Sequence, residues 1–310
     1  RTRDRQGTMT PILYSFLQGA KDVQRIKVLV GTMYLFKLVS SLALLSPLYL
    51  MLSKSFARNV KASDFLTGLD LSLIIDFIYY WRRTLSVYIV IFILACGAIV
   101  LAYVFLSGGF WGVLRDETKK RTQGSKIERF FGYCGKYFWK MVKVALFLGV
   151  LYIAALLLFL SISGVLDQVV GEASLWEIAS WGVVVRFFIG ALLFMLVNMI
   201  GDYLRIFSIE NDDKRFLTVV GKTFKFLLTN LLTTLGLYYL LSAGLAVVIL
   251  VFLGLLKIMN TMPGTSLFIF FTFLIQQVFV IFRSFFRLVY YSSQLNLYHR
   301  TSGEAGSEHQ

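Results

Sequence analysis

Residues 126–165 read KIERFFGYCGKYFWKMVKVALFLGVLYIAALLLFLSISGV, a basic and aromatic stretch that runs directly into an apolar segment. Within 126–141, hydrophobic side chains recur at spacings of three and four, which predicts an amphipathic helix lying along a membrane surface. The apolar run that follows is long enough to cross a hydrocarbon core of about 30 Å, which takes roughly 20 helical residues. These residues therefore predict a helical membrane protein.

The rest of the chain has the same character. Hydrophobic residues make up 57% of its 310 residues and charged residues 15%, well below the roughly 25% of soluble domains. Six segments are long and apolar enough to span a bilayer: 28–51, 86–106, 142–165, 181–200, 227–256 and 266–288. The alternating pattern of membrane β-strands is absent from the sequence. The predicted fold class is all-α, a polytopic membrane bundle of six transmembrane helices.

The amphipathic stretch has two counterparts, residues 11–26 (PILYSFLQGAKDVQRI) and 214–228 (KRFLTVVGKTFKFLL). Each of the three carries a glycine with a lysine one or two residues later: Gly19/Lys21, Gly135/Lys136 and Gly221/Lys222. Each also precedes two apolar segments, which predicts three tandem repeats of an interfacial helix and a transmembrane hairpin, at about 11–114, 126–210 and 214–298. We expect equivalent hairpins, parallel in topology, with the three glycines at similar depth.

The sequence predicts one transmembrane domain, residues 1–300, with several local features. Residues 53–84 form an insertion in the first repeat, where Asp64 is a plausible N-cap of a second kind of interfacial helix or of a lid over the bundle. Residues 301–310 are predicted to be a disordered tail. Gly108 and Gly112 form a GxxxG pattern that permits close helix contact. The ends of the fourth and sixth spans also match, with DYLR at 202–205 and SFFR at 284–287.

Lysine and arginine are distributed very unequally between the two sides. The side that holds both termini and the second and fourth loops carries 21 of them, and the opposite side carries six. Because positive charge resists translocation, both termini are predicted to be cytoplasmic, in a multi-pass protein of a bacterial inner membrane. The formal net charge of +14 is spread over these juxtamembrane positions among aromatic residues. That arrangement predicts contact with anionic lipid headgroups and not with nucleic acid.

The sequence lacks the usual groups for catalysis. Its two histidines, His299 and His309, both lie beyond the last apolar segment, and no aspartate or glutamate falls within the six apolar segments. No nucleotide-binding, zinc-protease or serine-hydrolase motif is present. We therefore expect no enzymatic activity, no catalytic residues, no cofactor and no metal site.

Four cations lie in or near the apolar segments: Lys37, Arg186, Arg283 and Arg287. Arg283 and Arg287 are one turn apart on one helical face and could hold a lipid phosphate. Arg186 lies near a span end, and all three arginines could instead extend to the headgroups. Lys37 lies deeper, where it either extends to the headgroups, bonds to carbonyl groups, or contacts an anion or lipid headgroup inside the bundle. These four residues are the candidate lipid or anion contacts.

The run from Gly108 through FFGYCGKYFWKMVKVALFLGVLY, together with the earlier DFLTGLDLSLIIDF, resembles a group of uncharacterised bacterial six-helix inner-membrane proteins. The likeness covers most of residues 11–300 and rests on aromatic patterns. The helix-pair repeats also resemble the membrane domains attached to glycerophosphodiester phosphodiesterases, although this sequence contains no catalytic domain of that kind. Neither resemblance supplies an activity for this chain.

Two functions from different classes follow from these features. The first is a non-enzymatic accessory or scaffold subunit of a larger membrane protein complex, with other membrane proteins as partners. The alternative is a transporter or lipid-handling protein that binds an anionic lipid or substrate between the repeats. An integral-membrane enzyme acting on lipids is a third, less favoured hypothesis.

Overall fold

The computed structural model describes residues 11–56, 71–119, 124–171, 176–212, 214–259 and 266–302. These ranges contain eight α-helices and no strand, which confirms the all-α fold class. In chain order the helices are α1 (Pro11–Arg25), α2 (Lys27–Phe56), α3 (Leu71–Thr118), α4 (Lys126–Gly171), α5 (Trp176–Glu210), α6 (Phe216–Thr229), α7 (Leu231–Met259) and α8 (Ser266–Thr301).

Six of the described helices, all except α1 and α6, contain a stretch long and apolar enough to cross a membrane. Their mean hydropathy ranges from 1.4 to 3.0, as expected for an integral, multi-pass membrane protein. Helices α3 and α4 have 48 and 46 residues, about 70 Å each at 1.5 Å per residue. That length is more than twice the thickness of a hydrocarbon core. Both helices are therefore longer than a single crossing requires.

The chain divides into two compact units, Gly31–Tyr103 and a larger one made of Arg1–Val30 with Val104–Gln310. The smaller unit contains a hairpin of α2 and α3. In it, the Tyr88 hydroxyl donates a hydrogen bond to the Leu44 carbonyl at 3.1 Å. The rings of Phe36 and Tyr103 have centroids 6.4 Å apart. These contacts join the two helices of the hairpin.

Buried side chains of the larger unit concentrate at one end of its helices. We call this region the packed end; it comprises residues 11–30, 104–119, 124–148, 197–212, 214–241 and 284–302. Its largest fully buried side chains include Trp111, Tyr137 and Tyr203. In the remaining lengths of the same helices, large hydrophobic side chains are exposed, as Phe187 is at 71%. Such a surface suits contact with lipid tails or with other membrane helices.

Helices α3 and α4 pack closely at the packed end through glycines of α3. A Cβ atom added to Gly108 would lie 3.2 Å from the Tyr133 carbonyl oxygen. At Gly109 it would lie 2.7 Å from the Phe130 ring, closer than side chains tolerate. The close helix contact that Gly108 and Gly112 predicted is therefore confirmed, and α4 is the helix that fills it.

Helix α1 buries a face that consists mainly of small and polar residues. Ser15, Gly19, Asp22 and Val23 are buried, and a Cβ atom at Gly19 would lie 2.7 Å from the backbone nitrogen of Ser293 on α8. Leu13 and Leu17, on the predicted apolar face, are 40% and 41% exposed. This part of the hydrophobic face is thus left to contact the membrane, which agrees with an interfacial helix, whereas Val23 of the same face is buried.

The three amphipathic stretches differ in the structure. Helices α1 and α6 end at Arg25 and Thr229, before the next helix begins. Residues 126–141, however, are the first part of α4, which continues without a break to Gly171, so the prediction of a separate interfacial helix is wrong there. Turns at Ile26 and Asn230 separate α1 and α6 from the helices that follow them, whereas residues 141–143 of α4 remain helical.

The surroundings of the three glycines also differ, and their similar depth stays a prediction. Gly19 is packed against Ser293, whereas Cβ atoms at Gly135 and Gly221 would have no described neighbour within 4 Å. Their surroundings differ because α1 packs on α8 through its glycine face, while α4 and α6 turn theirs outward. The tandem repeat organisation is therefore not shown by the structure.

The predicted insertion, residues 53–84, is described only in part. From Leu71 onward it belongs to α3 and runs without a break into the transmembrane stretch, in place of a separate interfacial helix. The predicted N-cap at Asp64 lies outside the described residues. Most of the predicted C-terminal tail does too; its first residue, Thr301, ends α8.

Candidate functional site

The distinctive feature of the packed end is a set of buried carboxylates. Asp22, Asp202 and Glu210 all have side chains shielded from solvent. Burying a carboxylate is costly unless cations or hydrogen-bond donors surround it. In this structure each carboxylate meets donors from at least one other helix.

Asp202 connects α5 to α8. Its carboxylate lies 2.8 Å from Nη1 of Arg205 and 3.8 Å from Nη2 of Arg287. Gln294 Nε2 donates to the same carboxylate at 3.5 Å. The matching sequences at 202–205 and 284–287 therefore meet, and their two arginines share one carboxylate.

Arg287 is held in place by aromatic side chains as well. Its Nε donates to the Tyr291 hydroxyl at 2.9 Å, and its guanidinium lies 4.8 Å from the centre of the Tyr291 ring. The Tyr291 ring lies 4.5 Å from that of Trp111, which extends the cluster to α3. Cation–π contacts of this kind favour a fixed arginine orientation.

Asp22 connects α1 to α8 without an ion pair of its own in the described part of the chain. It accepts hydrogen bonds from Asn296 Nδ2 at 2.9 Å, Ser292 Oγ at 3.4 Å and Gln18 Nε2 at 3.2 Å. Burial raises the pKa of this carboxyl above its ordinary value, and the three hydrogen bonds offset only part of that rise.

Glu210 brings together groups from the ends of three helices. Its oxygens lie 3.1 Å from Arg115 Nε, 2.8 Å from Lys119 Nζ and 3.4 Å from His299 Nε2. Arg115 also donates from Nη1 to the Tyr137 hydroxyl at 3.2 Å. A single buried carboxylate thus fixes two cations at the ends of α3, beside α4.

Asp212, in the turn after α5, binds two lysines of α4. Lys136 Nζ lies 2.9 Å from its carboxylate, and Lys140 pairs with the other oxygen. Partial burial raises the pKa of Asp212, but the hydrogen bonds from Lys140 and Lys136 outweigh it and hold the pKa below its ordinary value. This ion pair ties α4 to the α5–α6 turn.

Two cavities adjoin these ion pairs. The larger, about 350 Å³, is lined by Arg115, Asp116, Lys119, Arg129, Tyr133, Lys136 and Tyr137. The smaller, about 60 Å³, is lined by Lys140, Lys143, Ser208, Asn211, Lys214, Phe216 and Val219. Cations predominate among the charged residues of both.

The structure separates the four cations that the sequence analysis selected. Arg287 lies in the Asp202 cluster, and Arg283, one turn earlier on α8, is exposed. Arg186 is half-buried and lies 16 residues before Asp202 on α5, about 24 Å along the helix. Lys37 is half-buried in the smaller unit. Only Arg283 and Arg287 share a helix face.

The buried carboxylates were missed because each lies at or beyond the edge of an apolar segment. Asp202 and Glu210 follow the predicted fourth span, and Asp22 lies within an amphipathic stretch. One signal was available: the matched sequences at 202–205 and 284–287 place an acid and two arginines at the same end of two spans. Among the described residues, no group of three histidine, cysteine, aspartate or glutamate side chains could hold a metal ion.

Comparison with known proteins adds no further constraint. No protein-family model, curated protein or solved structure matches this chain. The class established by the fold is therefore that of an integral, multi-pass helical membrane protein.

Proposed function

We propose that this chain is a non-enzymatic accessory or scaffold subunit of a larger membrane protein complex. The observation that carries this proposal is the exposure of its transmembrane stretches: 6% to 17% of the residues in each apolar window are buried. A bundle that encloses its own substrate pathway would bury many more inward-facing side chains. Membrane helices of partner proteins would cover part of this surface.

Small residues within the spans support the proposal. Cβ atoms at Gly149, Gly164 and Gly254 would have no described neighbour within 4 Å. Glycine lowers helix propensity, and in membrane helices small residues allow a second helix to approach closely. These glycines are available for helices of another protein.

The packed end supplies the rigid base that a scaffold needs. The carboxylates Asp22, Asp202 and Glu210 fix α1, α3, α5 and α8 relative to one another through side-chain contacts. The transmembrane stretches of the same unit then project from a fixed foundation. Partners could assemble on them without disturbing the packed end.

Site-specific photocrosslinking in the native host tests this proposal. A photoreactive amino acid would replace Phe187 or Leu250, both exposed on spans, or, as a control, the buried Leu204. We expect the two exposed positions to form discrete protein adducts and the control to form none. Adducts with lipid alone, at native expression levels, would contradict the scaffold proposal.

The lipid-handling alternative is favoured by one observation, the pair of arginines on α8. Arg283 is exposed and Arg287 is 33% exposed, one turn apart beside the Asp202 cluster. Native mass spectrometry with phosphatidylglycerol would test it by comparing Arg283→Gln with Lys257→Gln, an exposed cation of α7. Selective loss of bound lipid in Arg283→Gln supports this alternative, and equal retention in both variants rejects it.

A further inference from the structure

The larger cavity of the packed end lies between the end of α3 and the beginning of α4. Its charged lining consists of four cations, Arg115, Lys119, Arg129 and Lys136, and one carboxylate, Asp116. A volume of about 350 Å³ lies within the range of small-molecule pockets in proteins, about 300–1,000 Å³. The lining therefore carries a surplus of positive charge in a space large enough for a ligand.

Two of the lining cations are held by a buried carboxylate that lies outside the cavity. Glu210 does not line the cavity, yet it holds Arg115 at 3.1 Å and Lys119 at 2.8 Å. An ammonium group has three N–H donors and a guanidinium group has five, so each retains donors for a ligand. A buried carboxylate that fixes two cations at a cavity wall makes that wall preorganised for an anion.

The α4 side of the cavity adds donors at regular helical spacing. Arg129, Tyr133 and Lys136 follow one another at intervals of four and three residues, so they lie on one face. The Tyr137 hydroxyl accepts a hydrogen bond from Arg115 and keeps its own proton to donate. The Tyr133 and Tyr137 rings are stacked with centroids 5.7 Å apart, which rigidifies this wall.

The carboxylates near the cavity do not neutralise it. Asp116 accepts from the Tyr133 hydroxyl at 2.5 Å and lies 3.6 Å from Arg129. Lys136 shares Asp212 with Lys140 and has a side chain that is 53% exposed. The three carboxylates of Asp116, Glu210 and Asp212 thus pair with five lysine and arginine side chains, so positive charge remains in excess.

We propose that this cavity binds a phosphate group carrying at least two negative charges, a phosphomonoester or a diphosphate. Arginine and lysine together suit such a group, since a guanidinium can bind two phosphate oxygens and an ammonium acts as a point charge. The ligand can be the headgroup of a membrane lipid or a soluble phosphate compound, because the recognised chemistry is the same. This site is independent of the scaffold proposal, which concerns the transmembrane stretches.

The smaller cavity offers a matched comparison. It is also lined by lysines, but about 60 Å³ lies far below the range of small-molecule pockets, about 300–1,000 Å³. The neighbouring Lys214 lowers the pKa of the exposed Lys222, so positive charge is crowded there as well. The smaller cavity thus has positively charged residues but a much smaller volume than the proposed site, which makes its Lys143 a suitable control.

Binding measurements on the full chain test the proposal. The variants are Arg129→Gln and Lys136→Gln, because Asp116 retains Tyr133 and Asp212 retains Lys140 after each change. Lys143→Gln, on the same helix, is the control, and Lys136→Arg preserves the charge. Circular dichroism and size-exclusion chromatography would confirm that each variant is folded. The probes are pyrophosphate with detergent-solubilised protein, and phosphatidic acid in phosphatidylcholine nanodiscs.

We expect Arg129→Gln and Lys136→Gln to weaken binding of at least one probe by about tenfold or more, as for loss of a hydrogen bond to a charged group. Lys143→Gln and Lys136→Arg should bind within about threefold of the unchanged protein, less than the loss of one charged contact. Pyrophosphate binding identifies a soluble ligand, and binding of phosphatidic acid alone identifies a lipid headgroup. Failure of both probes to bind, or equal weakening by Lys143→Gln, overturns the proposal.

Discussion

At the scale of single residues, the packed end depends on carboxylates that are withdrawn from water. Asp202 is fully buried and is shared by Arg205 and Arg287. Asp212 likewise forms ion pairs with two cations, Lys136 and Lys140, but its side chain is 34% exposed. The same chemistry therefore operates in two dielectric environments, and the energetic consequences of removing the charge should differ accordingly.

Asp202→Asn should lower the free energy of unfolding by about 3 kcal/mol, because two partly buried arginines would lose a buried counter-charge. Asp212→Asn should cost less than about 1 kcal/mol, since water can solvate the two lysines. Denaturant titration in detergent, followed by tryptophan fluorescence, measures both. Equal losses in the two variants would show that burial does not set the strength of these pairs.

The two pKa shifts predict opposite dependences of stability on pH. The raised pKa of Asp22 gives a stabilising contribution that is full below its ordinary value of 3.8 and is lost as pH rises through the folded-state pKa. The lowered pKa of Asp212 gives a contribution present above 3.8 that is lost as pH falls through its folded-state pKa. Each contribution disappears in the corresponding asparagine variant.

Melting temperatures measured from pH values below 3.8 up to neutral pH check this prediction, because the Asp212 contribution is lost only below 3.8. The difference between the unchanged protein and Asp22→Asn should decrease as pH rises, because the buried carboxyl becomes charged. The difference for Asp212→Asn should decrease as pH falls. Parallel curves for Asp22→Asn and the unchanged protein would show that this carboxyl does not titrate in the folded state within the range.

At the scale of elements, α1 is the helix whose packing departs most from its sequence pattern. Hydrophobic periodicity identified Leu13 and Leu17 as one face of an amphipathic helix, and they do share a face. Leu13 and Leu17 are exposed, because Gly19 and Asp22, on another side of the helix, contact α8. In a membrane protein the apolar side of an interfacial helix faces lipid, so polarity alone does not indicate the protein side.

Gly19→Ala should destabilise the protein by about 1–3 kcal/mol, as overpacking does, because its Cβ would lie 2.7 Å from the Ser293 backbone. Gly221→Ala should be neutral or stabilise α6 by up to about 1 kcal/mol, since alanine favours the helix and the site is open. Thermal unfolding in detergent distinguishes the two. Similar effects at both positions would restore the equivalence that the repeat prediction required.

At the scale of the whole molecule, six candidate transmembrane stretches, an even number, predict that both ends of the described chain lie on the same side. The excess of lysine and arginine predicts that this side is cytoplasmic. The packed end contains the amphipathic stretches on which that prediction depends. It follows that the proposed phosphate site would be reached from the cytoplasm.

Labelling of single cysteines with a membrane-impermeant maleimide tests this topology, after replacement of Cys96 and Cys134. Gln24→Cys and Ser302→Cys, both exposed, should react only when the cytoplasmic side is opened. Ser53→Cys and Lys257→Cys, also exposed, should react from the opposite side. Labelling of Gln24→Cys from outside in sealed cells would reverse the predicted orientation.

The sequence by itself determined the all-helical class, the six transmembrane stretches and the close approach of a helix at Gly108. These properties depend on local composition: an apolar run of sufficient length must form a helix in lipid, and glycine admits a neighbouring helix. Tertiary structure decided which charges meet. Asp22 and Ser292 are 270 residues apart, and Asp202 and Gln294 are 92 apart, so no local pattern could pair them. Tertiary structure also decided that the helix of residues 126–141 continues without a break through the rest of α4, because a break after an amphipathic stretch depends on how the next helix packs. The cationic cavity arises for the same reason, since its residues come together only when the end of α3 packs against α4.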